Sequence, residues 1–239
     1  MPVTIHAGRI WRAFEYTADK GWGQFQSLML SADTSADLLN AKSWTSSNRL
    51  TFDANWQKDY TCWLEGNAVA TQSNQMVNIL RVNFKGDDVA AMASVSEDGT
   101  NISFNPTTGF IDLPGGCKKF SIRYDGVSKR YWSLANYAPI AEKEKAKTLK
   151  HALERARNTL VLISSADLIR WKKHVTVLYS PDIKQHGFQY ADWTIENNDI
   201  IAAVRTAYGE KTDGSHDANY ITFHRIKDFR KKLKKEIAD

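Results

Sequence analysis

The stretch "WLEGNAVATQSNQMVNILRVNF", residues 63–84, holds two apolar runs on either side of the polar turn "QSNQ". That pattern predicts an antiparallel hairpin. "VAAMASVSEDG" and "GFIDL" follow it and extend the hairpin to about four strands. The same order recurs along the chain. "VTIH", "AG" and "RIWRAFEY" lead into "FQSLMLSAD" and "SWTSSNRL". "KKFSIRYD", "GVSK" and "RYWSLANY" lead into "NTLVLISSADL" and "HVTVLYS". "FQYADWTI", "ENND" and "IIAAVRTAY" end on "NYITFHRI" alone. A unit of roughly 45–60 residues with up to four strands is the spacing of propeller blades.

The expected fold is therefore all-β, a β-propeller of four-stranded blades forming one domain over 1–239, with blades at about 3–50, 61–114, 118–180 and 188–229. The run 139–157, "PIAEKEKAKTLKHALERAR", favours helix through its Ala, Leu, Lys and Glu, either as an excursion between strands or as a lid. The basic segment 230–239 reads as a solvated terminal helix, in preference to a nucleic-acid or membrane contact.

At 239 residues, with 42% hydrophobic and 11% aromatic content, the chain has the composition of a folded protein. Its net charge of +5 is modest, and no apolar run is long enough for a membrane-spanning helix. The start "MPVTIHAGRI" lacks the basic-then-apolar pattern of a signal peptide. Cys62 and Cys117 allow one disulfide at most. Phosphate-binding glycine loops, nucleophile elbows and zinc-type spacings are missing from the sequence, so no cofactor, no metal and no nucleic-acid partner is expected.

Three third strands run into Ser/Asp turns followed by an aromatic: "LSADTSADLLNAKSW", "VSEDGTNISF" and "ISSADLIRW". Short polar side chains there bond backbone amides two residues ahead and close the turn. These runs resemble degenerate Asp-box turns of sialidase-type propellers, whose full pattern is Ser-x-Asp-x-Gly-x-Thr-Trp. "RNTLVLISSADLIRW", "HGFQYADW", "DIIAAVRTAY" and "HDANYITFHRIKDFR" are similar to the C-terminal part of bacterial sialidase-family (BNR-repeat) proteins, a group of exo-glycosidases. The resemblance implies a six-bladed ring, hydrolysis of terminal acidic sugars, and a secreted or periplasmic location. Four blades are then expected to be a portion of a longer chain, with a shorter ring or half of an oligomer as alternatives.

In a blade the chain runs outward strand by strand. One face then collects the start of each first strand and the loop between second and third strands. That rule selects Arg12, Trp63 and Glu65 early in the chain, and Arg157 before the third unit's third strand. It also selects His186, Gln189, Tyr190, Asp192, Arg205, Tyr208, His216, Asp217 and Asn219 in the fourth unit. Arginines would grip a substrate carboxylate in bidentate fashion. The resemblance implies a Tyr activated by Glu, with an Asp as acid/base. Glu65, Tyr190 or Tyr208, and Asp192 or Asp217 supply that set, and Glu65, Asp192 and Tyr208 are the expected catalytic residues. The plainer readings are a strand-end pair of Arg12 with Glu15, a bridge between Arg123 and Asp125, and turn-forming roles for His216 and Asp217. A non-catalytic glycan-binding module and a polysaccharide lyase with a Tyr or His base are the alternative functions.

Overall fold

The structure, a computed structural model, describes residues 2–17, 21, 23–57, 59–86, 88–209, 214–234 and 237. Its strands form four antiparallel sheets laid out in chain order, so the chain is all-β with four propeller-type blades. Two compact units divide them: Met1–Phe84 with Ala90–Ile111, and Lys85–Val89 with Asp112–Asp239.

In the first unit, β1 (Thr4–His6), β2 (Arg9–Tyr16), β3 (Gln26–Asp33) and β4 (Trp44–Ser46) make the first sheet. Its opening hairpin turns on Ala7 and Gly8, both at positive φ, the two-residue geometry whose twist matches that of the flanking strands. The second sheet contains β5 (Tyr60–Ala70), β6 (Met76–Phe84), β7 (Val89–Val95) and β8 (Ile102–Ser103), with β9 (Phe110–Asp112) also on β7. The first seven residues of β6 are buried, which explains why "MVNILRV" is nearly unbroken apolar sequence. Trp63 is completely buried among Phe52, Trp56, Phe104 and Phe110, with ring centroids 4.8–6.4 Å away. Such burial stabilises by about 2–3 kcal/mol for one large apolar side chain.

In the second unit, β10 (Ser121–Asp125), β11 (Arg130–Ala135), β12 (Thr159–Ser165) and β13 (Trp171–Tyr179) form the third sheet. The fourth has three strands, β14 (Gly187–Glu196), β15 (Asp199–Ala207) and β16 (Tyr220–Ile226). Helix α1 (Ile140–Thr148) joins β11 to β12. Glu142 in its first turn is buried; its carboxylate accepts bonds from Asn158 Nδ2 (2.7 Å) and the Tyr179 hydroxyl (2.9 Å). The helix is therefore pinned to the third sheet. Among the described residues no helix is long and apolar enough to cross a membrane.

The Ser/Asp turns make the local bonds that their sequences predict. Asp98 accepts from Ser96 Oγ (2.6 Å) and Thr100 N (3.0 Å), and these bonds hold its carboxyl down to about 2. Asp167 likewise collects the amides of Ile169 and Arg170, and Trp171 donates its indole N–H to Leu168 O.

Three expectations need correction. Trp63 has no ring face open to a sugar, because it fills the aromatic core of its own unit. Arg123 and Asp125 do not bridge one another: Arg123 pairs with Asp192 (3.0 Å) and Asp125 with Arg230 (2.8 Å). The basic end, where it is described, keeps Lys231 and Lys234 exposed as a solvated segment would, but it is a short 3₁₀ turn, Phe229–Lys234, whose Phe229 is fully buried. Lys235, Glu236, Ala238 and Asp239 lie outside the described residues.

Candidate functional site

The fourth sheet gathers the chemistry of the second unit at one end. Gln189 and Arg205 are register partners on β14 and β15. Directly after Gln189 the pairing slips, so Tyr190 and Ala191 fall outside the ladder before Asp192 meets Ala203. Tyr190 sits at φ +51°, an uncommon conformation for a bulky residue. A bulge of this kind re-aims a side chain. Tyr190 is turned between Arg205, whose guanidinium carbon lies 4.9 Å from the ring centroid, and His216 at 6.3 Å.

Residues 214–217, ahead of β16, lie over the start of β14. Gln189, with no exposed surface, donates its amide to the carbonyls of Ser215 (3.3 Å) and His216, while its Oε1 is buried without a partner among the described residues. Ser215 Oγ donates to Arg155 O, and Phe188 N to Arg157 O, so the segment before β12 joins the same edge. Asn136 completes the staple, with its amide group on the carbonyls of Arg157, Thr159 and Phe188.

Gly187 is required by this packing. A Cβ there would stand 2.2 Å from Ser215 O, an impossible contact with backbone. Gly187→Ala is expected to cost about 2 kcal/mol by overpacking. It should also displace the 214–217 loop, seen as a lower unfolding midpoint with shifted His216 resonances. An unchanged midpoint would count against the staple.

Arg157 is nearly fully buried, and His216 feels it. The His216 imidazole is held below its usual pKa, first by desolvation and then by Arg157, with Arg205 adding to the effect and Asp217, at 3.3 Å, opposing it. Arg205 and the imidazole flank one tyrosine, Arg157 acts on that imidazole, and Asp217 is the carboxylate beside it. An anion placed there would be met by bidentate, charge-assisted donors.

The other expected residues are placed less centrally. His186 stacks edge-on with Tyr208 (4.7 Å) and against Phe188 (5.0 Å), and desolvation lowers its pKa. Asn219 bonds both the N–H and the carbonyl of Tyr208 at 3.0 Å, so it shapes the turn, while the Tyr208 ring is exposed. Asp192 is well exposed and joins Arg123, linking the first strands of the third and fourth sheets. In the first unit, Glu65 accepts from Arg81 (3.1 Å) with both side chains nearly buried, and Arg12 lays its guanidinium over Phe14 (5.0 Å). The neighbouring-strand Arg81 is the partner that makes a carboxylate tolerable inside an apolar strand. Cys62 and Cys117 are separate buried thiols. Among the described residues no three His, Cys, Asp or Glu side chains converge as metal ligands.

No protein-family model and no curated protein matches the sequence. The fold is similar to a GH32 beta-fructofuranosidase from Bombyx mori, at 13% identity and TM-score 0.58, covering 92% of this chain and 44% of that one. An alpha-L-arabinofuranosidase from Lactobacillus brevis matches at 11% identity and TM-score 0.56, covering 93% and 70%. A beta-fructofuranosidase from Schwanniomyces occidentalis complexed with fructosyl-erythritol matches at 12% identity and TM-score 0.54, covering 92% and 44%. The chain spans less than half the length of these two fructofuranosidases. At such identities the likeness establishes the fold, shared with propeller glycosidases.

Proposed function

We propose that this chain is a carbohydrate-active propeller, a sialidase-like exo-glycosidase that removes terminal acidic sugars. One observation carries the reading: Arg205 and His216 flank Tyr190 at the end of the fourth sheet, and Arg157 acts on the same imidazole. A sugar carboxylate is the ligand group that such an arrangement recognises. Asp192 and Asp217 are the carboxylates of the same unit assigned to acid/base work, and Tyr190 or Tyr208 to the nucleophile. Glu65 is retained as a candidate on its own, tested by Glu65→Gln. The glycosidase names of the solved neighbours support the class of reaction.

A second reading follows from His216. An imidazole kept neutral by desolvation and neighbouring arginines is a competent base at neutral pH. With a uronate carboxylate neutralised by arginine, that base would take the proton beside it. The glycosidic C–O bond would then break by elimination, the leaving oxygen receiving a proton, as in a polysaccharide lyase. Incubating the protein with sialosides, glucuronides and rhamnosides separates the readings. Hydrolysis of the acidic members supports the first, and an ultraviolet-absorbing unsaturated uronate supports the second. Saturable binding with neither product assigns a glycan-binding module.

The pKa of His216 gives a direct check on the carboxylate. Arg157 and Arg205 oppose its protonation, so an anion bound between them should relieve that opposition and raise its pKa. Binding an acidic sugar is then accompanied by proton uptake in the pH range between the two values. Titrating the His216 ring by NMR should show this upward shift with a sialoside or glucuronide and none with a rhamnoside. No shift with any acidic sugar would remove His216 from the site.

A further inference from the structure

The first unit contains a cleft of about 800 Å³ that the reading above does not use. It lies at the hairpin-turn ends of the first two sheets, where Ala7–Gly8 and the 71–75 turn project. The candidate site of the second unit is built at the other end of its sheet, where β14 begins and β15 finishes. We infer that this cleft is a separate binding site for a short, neutral oligosaccharide segment.

The walls are held ready. His6 Nε2 bonds Asn74 O (3.2 Å) across the two turns, and the Trp11 indole N–H donates to His6 O (3.2 Å). Thr4 Oγ1 donates to Ala68 O (2.6 Å), tying β1 to β5. Arg9 is fixed by the hydroxyls of Ser31 (2.7 Å) and Thr45 (3.1 Å), and its Nε is buried without a partner among the described residues. A preformed cleft of this size suits a small ligand.

The lining narrows the ligand. Arg9 only donates hydrogen bonds, Glu97 only accepts them, and Gln75 and Ser94 do both. Hydroxyl groups satisfy all three kinds, because each can donate and accept. The side chains of Gln75, Ser94 and Glu97 make no hydrogen bond or ion pair among the described residues, so they are left for a ligand or solvent. Trp11, Met76 and Val95 are buried beneath these groups, so the accessible lining is mainly polar. Anions are disfavoured: Arg9 already acts on the Asp33 carboxylate, and Glu97 adds a second negative charge. Among the described lining residues Arg9 is the one permanent cation and the apolar side chains are buried, which suits neither a phosphate nor a lipid.

The test is protein-observed NMR on the full chain with neutral gluco-, galacto-, fructo- and arabino-oligosaccharides. At least one should shift resonances at residues 6–11, 73–77 and 94–97 in a saturable manner. Ser94→Trp, at an exposed position, should fill the cleft and abolish those shifts while leaving the unfolding midpoint unchanged. Gln75→Ala with Glu97→Ala should weaken binding by about tenfold or more, the size of losing one or two hydrogen bonds. Arg205→Ala should leave this binding intact, which keeps the result independent of the second unit's site. Absence of saturable shifts with every neutral sugar, or shifts that survive Ser94→Trp, would overturn the inference.

Discussion

Replacing Arg230 with alanine is expected to destabilise the second unit by about 3 kcal/mol, since it strands a buried charge. Asp125 is the charge concerned. Its side chain is 4% exposed and takes two bonds from Arg230, each 2.8 Å, plus the amide and hydroxyl of Ser128. The same guanidinium reaches Asn197 O and Asn198 Oδ1, so it joins the first hairpin of the third sheet to that of the fourth. Next to it Phe229 packs edge-on against Trp132 at 5.0 Å. Urea unfolding followed by tryptophan fluorescence reads the loss directly. Arg230→Lys should fall between the alanine variant and the parent, keeping the charge but losing the fork. A loss below about 1 kcal/mol would place the pair among ordinary surface bridges.

The pH dependence has a definite sign. Burial by itself would raise the Asp125 carboxyl, but Arg230 and Ser128 outweigh it and hold the group well below the usual carboxylate range. A depressed folded pKa contributes stability that is complete above the unfolded value, about 4. That contribution is lost as the pH falls through the folded value. Arg230→Ala removes the main depressing cation. The variant should therefore be weaker at neutral pH and lose less on going to acid, so the two stability curves converge at low pH.

What was legible in the sequence was local. The two-residue turn at Ala7–Gly8 and the Asp98 turn close on neighbours within a few positions, so residue type alone announces them. Apolar runs announced the strands for the same reason, including β6, whose first seven residues are buried. The blade rule also placed Gln189, Arg205 and His216 on one rim, and within their unit they do meet. Long-range pairing was not legible. Arg123 and Asp125, two apart on one strand, invite a mutual bridge, yet their partners lie 69 and 105 residues away. Trp63 shows the same limit from the packing side. An aromatic at a strand's rim end reads as a sugar platform until Phe52, Trp56 and Phe104 close over it. The bulge that turns Tyr190 toward Arg205 has no glycine or asparagine to mark it.

Arg205→Ala is expected to lower kcat/KM on an acidic glycoside by about 100-fold, the equivalent of one charge-assisted bond to a carboxylate. On the proposed reading Arg205 is the accessible half of the carboxylate grip, whereas Arg157 is nearly buried and its removal would disturb packing as well. The loss should be selective. A neutral glycoside has no carboxylate to lose, so any residual activity on it should change by less than about threefold. Arg205→Lys should recover part of the activity, because a point charge attracts the carboxylate without offering two parallel donors. Deleting this cation also removes one source of opposition to His216 protonation, so the imidazole pKa should rise in the unliganded variant. That second readout matters because Arg205 also lies over Tyr190, and a misplaced ring by itself would lower turnover. A raised His216 pKa with an unchanged unfolding midpoint assigns the kinetic loss to charge. An unchanged pKa, or equal losses on acidic and neutral substrates, would show that Arg205 serves the fold of the rim and binds no substrate.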